Sequence, residues 1–415
     1  MGKMLKSVFA GTVQLVTACL LSVVAVPAAA DCKTGGGGGS DLRDVTELGV
    51  RNDGGADAAA PLNAALKAGN LNLFFPAGEY RLEGQLVLPS HAHLVADPAA
   101  RIYAGLNCAP HPVVVNSDPE KGNEDISIRG GLWDGCAPFH PRRGWADPDY
   151  PARFFHFIKV KGFTLEKLKM KDGVAYHISL GQIRNFRVED IEFIGVFPVK
   201  CQDGVHICGG CEDGLVRNIR CPVRGATYDD LIAVNSDDCQ FYSHQSGQID
   251  APIRRIRIEN VEAISCHSVV RLLSVRSPIE DVVFRNIRGG YREFGINADA
   301  ARYCADPIFK DADHPAGVGC LRNVLFENCE MWYAGPRPNP KEVVDFEENG
   351  TGVRFRNFRH AREKEKPGLK PRPTFRFRKL DEASLVVDGR PVEMKRGEEK
   401  TFDDVRDLDF STSAK

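Results

Sequence analysis

A short pattern of alternating apolar and polar residues recurs along the chain. In each copy the alternating residues are followed by a charged residue, an Asn or Asp, and a further apolar residue. The copies are Phe163–Leu168, Phe186–Ile191, Leu215–Ile219, Ile256–Val261, Val282–Ile287, Val324–Cys329 and Val353–Phe358, with a weaker one at Ile126–Gly131. The charged positions 166, 189, 217, 259, 285, 327 and 356 are separated by 23, 28, 42, 26, 42 and 29 residues. Strand-like alternation at such periods, without room for helices between the copies, predicts an all-β solenoid.

The Asn or Asp of the repeat predicts a sharp turn at the same place in each coil. Asn tolerates the left-handed backbone conformation better than other residues that carry a Cβ. The equivalent positions are Asp190, Asn218, Asn260, Asn286, Asn328 and Asn357. If these residues stack, their side chains form a hydrogen-bonded ladder. The two 42-residue steps predict inserted loops, which in solenoids often gather on the binding face.

Different segments are expected to close the two ends of the solenoid. Ala56–Lys67 has a helical pattern, and a helix here would cover the bottom edge of the coils. The following Leu73–Leu82, a strand, a Pro-Ala-Gly turn and a second strand, predicts the first coil. We expect the solenoid domain to span 45–360, and 361–415 to hold a charged, proline-containing linker and a β-rich cap.

The first residues have the features of an export signal. Lys3 and Lys6 precede an apolar run, and the small residues Ala28–Ala30 suit cleavage. We therefore interpret 1–30 as a signal peptide and 31–44 as a glycine-rich linker, and expect a secreted or periplasmic protein without membrane insertion after cleavage. A membrane anchor is disfavoured because polar residues interrupt the apolar run. Lipid attachment at Cys19 is a further alternative.

Composition and charge narrow the function classes. The 415 residues are 43% hydrophobic and 27% charged, with 40 Gly and 25 Pro, as expected for a turn-rich globular protein. A net charge of −2 argues against nucleic acid as a partner, because such proteins present a basic surface. We expect a monomer.

The cysteines predict disulfides. Removing the signal leaves 12 of the 13, an even number in an exported chain. Cys208 and Cys211 have the spacing of half a zinc knuckle, but no second pair is evident, so a loop-bracing disulfide is favoured. A bridge between Cys304 and Cys320 is also plausible. No metal or other cofactor is expected.

The candidate chemistry lies in Tyr228–Ser236, where Asp229 and Asp230 lead directly into an apolar strand. Asp203 stands about one repeat earlier. Asp is also a common turn residue, but acids at the edge of a core are costly to bury and usually have a role. Paired carboxylates are the usual acid and base for cleaving a glycosidic bond.

These segments resemble a known family. Val45–Leu82 is similar to the opening of the pectate-lyase-like right-handed parallel β-helix superfamily. Asp203, the Asp229–Ser236 segment and the preceding coil Tyr176–Leu180 resemble glycoside hydrolase family 28, the polygalacturonases. The resemblance implies a right-handed parallel β-helix and an inverting mechanism. It further implies that Asp229 is the general acid and that Asp203 and Asp230 activate the attacking water.

Several family motifs are altered. The Asn-Thr expected before Asp203 is absent, and Ser265–Ser268 keeps only His267 of a Gly-His-Gly motif. Phe294–Asn297 stands near the place of the family's Arg-Ile-Lys, whose basic residues bind a substrate carboxylate. Arg271 and Arg276 are candidates to replace them. The residues proposed to bind substrate or support the acids are His267, Arg271, Arg276, Gln202 and His206.

The favoured function is hydrolysis of a pectin-like or other acidic polysaccharide. One alternative is a lyase or epimerase on the same fold, for which Ca²⁺ could bind Asp203, Asp229, Asp230, Asp237 and Asp238. A glycan-binding solenoid without catalysis is the third possibility. Outside the lyase alternative, we favour a turn over a substrate contact for Asp237 and Asp238.

Overall fold

The computed structural model describes residues 42–108, 112–140, 153–238, 247–300 and 317–413, which all belong to one compact unit spanning 39–415. The chain is a right-handed parallel β-helix, as predicted. The predicted signal peptide and most of the linker lie outside the described residues. In the described part of the chain, no helix has both the length and the apolar character needed to cross a membrane.

Among the described residues, the strands are accompanied by one α-helix, α1 (Ala59–Lys67), and by short 3-10 helices at Val45–Leu48, Ala137–Phe139 and Arg362–Lys364. The strands are β1 (Arg43–Asp44), β2 (Asp53–Asp57), β3 (Asn72–Phe75), β4 (Gly78–Leu82), β5 (Leu86–Leu88), β6 (His93–Ala104), β7 (Val114–Asn116), β8 (Asn123–Asp134), β9 (Arg153–Ile158), β10 (Val160–Glu166), β11 (Lys169–Lys171), β12 (Tyr176–Gly181), β13 (Arg184–Phe193), β14 (Val205–Cys208), β15 (Glu212–Cys221), β16 (Ile232–Asn235), β17 (Ile253–Leu273), β18 (Ile279–Ala298), β19 (Leu321–Tyr333), β20 (Val344–Phe346), β21 (Gly350–Thr351), β22 (Val353–Arg356), β23 (Arg359–His360), β24 (Phe375–Phe377), β25 (Ala383–Val387), β26 (Arg390–Met394), β27 (Lys400–Phe402) and β28 (Leu408–Thr412).

The repeat identified in the sequence is the parallel ladder that runs through β10, β13, β15, β17, β18, β19 and β22. Its charged positions are backbone neighbours from coil to coil, in the order Glu166, Glu189, Arg217, Glu259, Arg285, Glu327 and Arg356. Acidic and basic residues adjoin in most of these steps, so opposite charges face each other across the strands. The apolar residues between them point to the opposite face and form one continuous core.

The predicted polar ladder is present at the turns of this sheet. Side-chain amides join Asn218 to Asp190 at 2.8 Å, Asn260 to Asn218 and Asn286 to Asn260 at 3.0 Å, Asn328 to Asn286 at 3.2 Å and Asn357 to Asn328 at 2.9 Å. Each of these residues has a positive φ between 50° and 58°. Asn is thus selected both for its tolerance of the left-handed backbone and for its ability to donate and accept along the stack.

The N-terminal helix α1 covers the first coil as expected, but it begins three residues later than predicted. The Asp57 carboxylate accepts hydrogen bonds from the backbone N–H groups of Ala59 and Ala60, at 2.9 and 3.2 Å, and so favours a helix start after it. Leu62 and Leu66 on one face of α1 are buried in the main core.

The C-terminal segment contains one more parallel strand and an antiparallel cap. β24 pairs in parallel with β20. Strands β25, β26 and β28 form antiparallel pairs, and β28 also pairs with β22 of the last coil. The C-terminal edge of the β-helix is therefore covered by strands of the same chain. This cover removes a template for edge-to-edge association with other molecules.

The predicted disulfides are not found among the described cysteines. All nine of these, Cys108, Cys136, Cys201, Cys208, Cys211, Cys221, Cys266, Cys320 and Cys329, are free thiols. Cys304, the predicted partner of Cys320, lies outside the described residues. Cys211, Cys221, Cys266 and Cys329 belong to the main hydrophobic core, where they pack as small apolar side chains.

Candidate active site

A second parallel ladder, formed by β9, β12, β14, β16, the end of β17, the end of β18 and β20, carries the candidate site. Its core-facing positions are apolar, from Phe155 to Val344. Its outward positions are successively His156, Ser179, His206, Ala233, Arg271, Asn297 and Asp345. Ala233, the smallest of these side chains, lies between His206 and Arg271 on the ladder.

The three predicted acids lie at the starts of two neighbouring strands of this ladder. Asp203 precedes β14, and Asp229 and Asp230 precede β16. Backbone hydrogen bonds stack the two turns, from Gly204 N–H to the Asp230 carbonyl at 2.9 Å and from Asp229 N–H to the Gln202 carbonyl at 3.4 Å. The Asp230 N–H also donates to the Asp203 carboxylate at 3.3 Å. Spacing by one coil therefore brings the three acids together.

A pocket of about 220 Å³ opens beside these acids. It is lined by Tyr176, Cys201, Asp203, His206, Asp229, Asp230, Asn235, Asp238, His267, Arg271, Phe294, Asn297 and Lys341. Six of the eight residues predicted from the sequence to form the site are in this lining. Carboxylates, imidazoles and two basic side chains thus share one concave surface, as in a site for a polar substrate.

His206 is held between two carboxylates at one end of the pocket. Its Nδ1 lies 2.5 Å from Oδ2 of Asp203, and its Nε2 lies 3.0 Å from Oδ2 of Asp238. The imidazole also stacks on the ring of Tyr176, with 4.2 Å between centroids. Burial raises the pKa of Asp203, although the hydrogen bond with His206 opposes this effect. Burial alone would lower the pKa of His206, but Cys208 and the two carboxylates raise it well above its usual value.

Asp229 has the environment of a carboxylic acid that keeps its proton. Burial, followed by the charges of Asp230 and Asp203, raises its pKa to about 7. His267 and Arg271 act in the opposite direction without cancelling this effect. The Asp229 Oδ2 accepts a hydrogen bond from Cys201 N–H at 3.1 Å, and its Oδ1 lies 3.5 Å from His267 Nδ1.

The pKa of Asp230 is shifted in the opposite direction. Burial would raise its pKa, but the neighbouring His267 and Arg271 outweigh burial and lower it. The Arg271 Nε lies 3.9 Å from Asp230 Oδ2, and an Arg271 terminal nitrogen lies 2.6 Å from Asp299 Oδ1. The pKa values of these two adjacent carboxyl groups are therefore shifted apart, so that Asp229 tends to stay protonated and Asp230 tends to stay ionised. Such a pair supplies both an acid and a base.

Two predicted site residues lie outside the pocket lining. The Gln202 side chain is fully buried and donates to the carbonyls of Gly173 and Phe197 at 2.6 and 3.1 Å, so it supports the turn before Asp203. Arg276 is exposed, and its backbone N–H donates to Asp237 Oδ2 at 2.6 Å. Arg276 therefore does not stand in for the family's basic residues in this pocket.

The structure adds pocket residues that the sequence interpretation did not assign. The sequence favours a turn at Asp237 and Asp238; Asp237 does form a turn, whereas Asp238 lines the pocket. Tyr176 and Asn235 line it from β12 and β16. Lys341 enters from the connection before β20, and its Nζ lies 4.4 Å from the centre of the Phe294 ring. No periodic signal marks Lys341, since its position depends on how that connection folds across the groove.

The raised pKa of Asp229 predicts a pH-dependent cost to stability. An unfolded Asp has a pKa of about 3.9, so between about pH 4 and 7 only the folded state holds the proton and its stability falls as pH rises. Asp229→Asn never ionises and escapes this loss. We expect the free energy of unfolding of the variant, relative to wild type, to increase by up to about 3 kcal/mol from pH 5 to pH 8. Denaturant unfolding of the variant and of the wild-type protein at both pH values measures this difference in the free energy of unfolding.

Asp213→Asn is the matched control for this experiment. Asp213 is a half-exposed carboxylate whose pKa is lowered by its hydrogen bond with Arg255. Its contribution is complete above the unfolded pKa and is lost only as pH falls through the lower folded pKa. The difference between Asp213→Asn and wild type should therefore be constant from pH 5 to pH 8. A constant difference for Asp229→Asn as well would contradict the assignment of a raised pKa to Asp229.

Comparisons with known proteins agree on the fold. No protein-family model matches the chain. The plasmin and fibronectin-binding protein A of Streptococcus pneumoniae (strain ATCC BAA-255 / R6) is 28% identical over 181 residues, which cover 39% of this chain and 25% of that protein. The chain thus spans about a quarter of the length of this curated relative.

Two solved structures show the same architecture. The family 28 exopolygalacturonase of Yersinia enterocolitica aligns with a TM-score of 0.58 and 15% identity, over 82% of this chain and 68% of that one. The surface protein and adhesin PfbA of Streptococcus pneumoniae aligns with a TM-score of 0.51 and 16% identity, over 79% and 87%. A hydrolase and an adhesin therefore share this fold, so the choice between them depends on the site.

Proposed function

We propose that this protein is an exported glycoside hydrolase that cleaves an acidic, pectin-like polysaccharide with inversion at the anomeric carbon. The observation that carries the proposal is the cluster of Asp203, Asp229 and Asp230 in one pocket, in which the pKa of Asp229 is raised and that of Asp230 is lowered. Carboxyl groups with opposed shifts provide the acid and the base that glycoside hydrolysis needs. The shared fold with a family 28 exopolygalacturonase supports the same reaction class.

Each acid has a distinct role in the proposed reaction. Asp229 donates its proton to the glycosidic oxygen as the bond to the leaving sugar breaks. Asp230 and Asp203 accept the proton of the water that attacks the anomeric carbon from the opposite face. Asp230 suits this role because it lines the pocket and its pKa is lowered, so that it is ionised and can take up a proton. Its Oδ1 lies 3.7 Å from Nδ1 of His267, which is beyond direct hydrogen-bond distance.

The basic residues of the pocket favour an acidic sugar. Arg271 and Lys341 both line it, and they stand on the side of the acids towards β18 and β20. Because Arg271 is largely buried, a substrate carboxylate or sulfate would meet it in a site of low water content, where charge pairing is strong. These residues would serve in place of the family's Arg-Ile-Lys.

The test is incubation of the purified protein with polygalacturonate and a panel of other acidic polysaccharides. We expect new reducing ends from at least one of them, and NMR of the released anomer should show inverted configuration. Retention of configuration would contradict the proposed roles of Asp203 and Asp230. An unsaturated product that absorbs in the ultraviolet would instead identify a lyase.

A second candidate function is binding at a surface without catalysis. It is favoured by the partial sequence similarity to the plasmin and fibronectin-binding protein and by the fold of the PfbA adhesin. The two functions differ in their dependence on the acids. Binding to a polysaccharide or host protein that is accompanied by no bond cleavage and is unchanged in Asp229→Asn would favour this candidate over the hydrolase.

A further inference from the structure

A second cluster of side chains lies at the end of the pocket, behind Asp203. His206, Cys208 and Asp238 each place one donor atom there, and these three atoms lie within 4.8 Å of one another. All three residues are buried, and Cys208 has no part in the proposed hydrolysis. We infer that this cluster, completed by Asn235, binds a divalent transition-metal ion such as Zn²⁺. The inference is independent of the proposed hydrolysis and departs from the expectation of a metal-free protein drawn from the sequence.

The local strand geometry explains why these donors meet. His206 and Cys208 are two residues apart on β14, so both project from the same face while Ile207 enters the core between them. Asn235, at the end of β16, is the backbone neighbour of Cys208 across the ladder. The chain then turns, and Asp238 returns to the face that carries His206.

Asn235 provides an independent sign that a ligand binds here. It is only 3% exposed, yet its Oδ1 accepts no hydrogen bond from the residues that the structure describes. Its Nδ2 is 3.5 Å from both His206 Nε2 and Asp238 Oδ1, too far to fix the orientation of the amide. Rotating the amide by 180° turns Oδ1 towards these atoms. An ion there would remove the cost of leaving a buried acceptor unpaired.

Two of the donors already have the supporting contacts of metal ligands. Asp203 contacts Nδ1 of His206, which leaves Nε2 on the side of the cluster; a carboxylate behind a ligating histidine is a common arrangement at zinc sites. The Gln248 Nε2 donates to the Cys208 sulfur at 2.8 Å, a contact that orients the sulfur. These contacts fix the imidazole ring and the sulfur before an ion arrives.

The chemical types of the four donor atoms determine which ion the cluster would bind. Imidazole, thiolate, carboxylate and amide oxygen suit Zn²⁺ and its first-row neighbours, whereas Ca²⁺ and Mg²⁺ require oxygen ligands throughout. Zinc bonds of about 2.0–2.3 Å place tetrahedral donors about 3.3–3.6 Å apart. His206 Nε2 and Asp238 Oδ2 are 3.0 Å apart, so a small displacement of either side chain admits the ion. His206, Asn235 and Asp238 also line the pocket, which gives the ion a route in.

The test strips the purified protein with a chelator and then titrates it with Zn²⁺ and, separately, Co²⁺. We expect one ion per chain, and a sulfur-to-cobalt charge-transfer band in the absorption spectrum of the Co²⁺ form. Cys208→Ser should lose this band and bind Zn²⁺ at least tenfold more weakly. Cys211→Ser is the matched control, because Cys211 is equally buried but directs its sulfur to the Leu180 carbonyl at 3.4 Å. It should keep both properties.

Absence of stoichiometric Zn²⁺ binding in the wild-type protein would overturn the inference. Equal Zn²⁺ affinity in Cys208→Ser and Cys211→Ser would also overturn it. If Cys208→Ser does not fold, Asp238→Asn keeps the shape of the side chain and should weaken Zn²⁺ binding at least tenfold; unchanged affinity would count against the site. None of these measurements uses a substrate, so their failure is distinguishable from failure of the proposed hydrolysis.

Discussion

Asp229→Asn is expected to lower kcat on an identified polysaccharide substrate by about 10²–10⁴-fold, with little change in KM. The substitution keeps the size and polarity of the side chain but removes the proton that Asp229 would transfer, and general acid–base catalysis typically contributes a factor of this size. Because the pKa of Asp229 is raised to about 7, much of the wild-type protein holds this proton at neutral pH. Initial rates of reducing-end release across a range of substrate concentrations separate kcat from KM.

The neighbouring acids provide further variants of this experiment. Asp203→Asn and Asp230→Asn should also reduce the rate severely, because each weakens activation of water and removes a charge that raises the pKa of Asp229. Asp213→Asn is the control, since its ion pair with Arg255 lies on the surface away from the pocket lining. Full activity in Asp229→Asn would rule out this residue as the acid and shift support to the lyase or the binding function.

The fold was predictable because its determinants are local and repeated. The alternation that defines each strand is visible in about six residues, and the charged positions counted from the sequence are the ones that adjoin across the ladder, such as Glu259 and Arg285. The turn residue is equally local, since a left-handed position followed by an apolar residue selects Asn in coil after coil. A solenoid can therefore be recognised from its sequence more readily than a fold that depends on contacts between residues far apart in the sequence.

The site was only partly predictable because its residues differ in how they are positioned. Asp203 and Asp230 come together through one-coil spacing, which the sequence displays. Lys341 and Asp238 reach the pocket through connections whose paths depend on tertiary packing, and Arg276 leaves it because its turn is tied to Asp237. Spacing thus identified residues on the strand ladder better than residues in the loops around it.

The disulfide prediction failed among the described cysteines for a different reason. An even number of cysteines in an exported chain does not distinguish bridges from thiols that fill an apolar core. Cys211, Cys221, Cys266 and Cys329 lie on core-facing positions of the coils, where a small apolar side chain fits. A thiol that faces polar groups, as Cys208 does, differs from these in its neighbours, and the neighbours are known only from the fold.

The turn after β17 depends on one buried carboxylate. Asp237 is fully buried, and its Oδ2 accepts hydrogen bonds from three successive backbone N–H groups, those of Val275, Arg276 and Ser277, at 2.6, 2.6 and 2.7 Å. Successive N–H groups that converge on one oxygen form a cradle for negative charge. This turn directly follows the strand that carries Arg271, so the carboxylate also anchors one wall of the pocket.

Asp237→Ala is therefore expected to destabilise the protein by at least about 3 kcal/mol, because it leaves three backbone donors without their acceptor in a buried turn, and each such loss costs about 1–3 kcal/mol. Asp237→Asn keeps one oxygen acceptor without the charge and should cost less than Asp237→Ala. The surface control Asp213→Asn should cost under about 1 kcal/mol. Denaturant midpoints at constant m-value measure the three differences. A stability of Asp237→Ala within about 1 kcal/mol of wild type would show that the three N–H groups find other acceptors and that the carboxylate does not hold this turn.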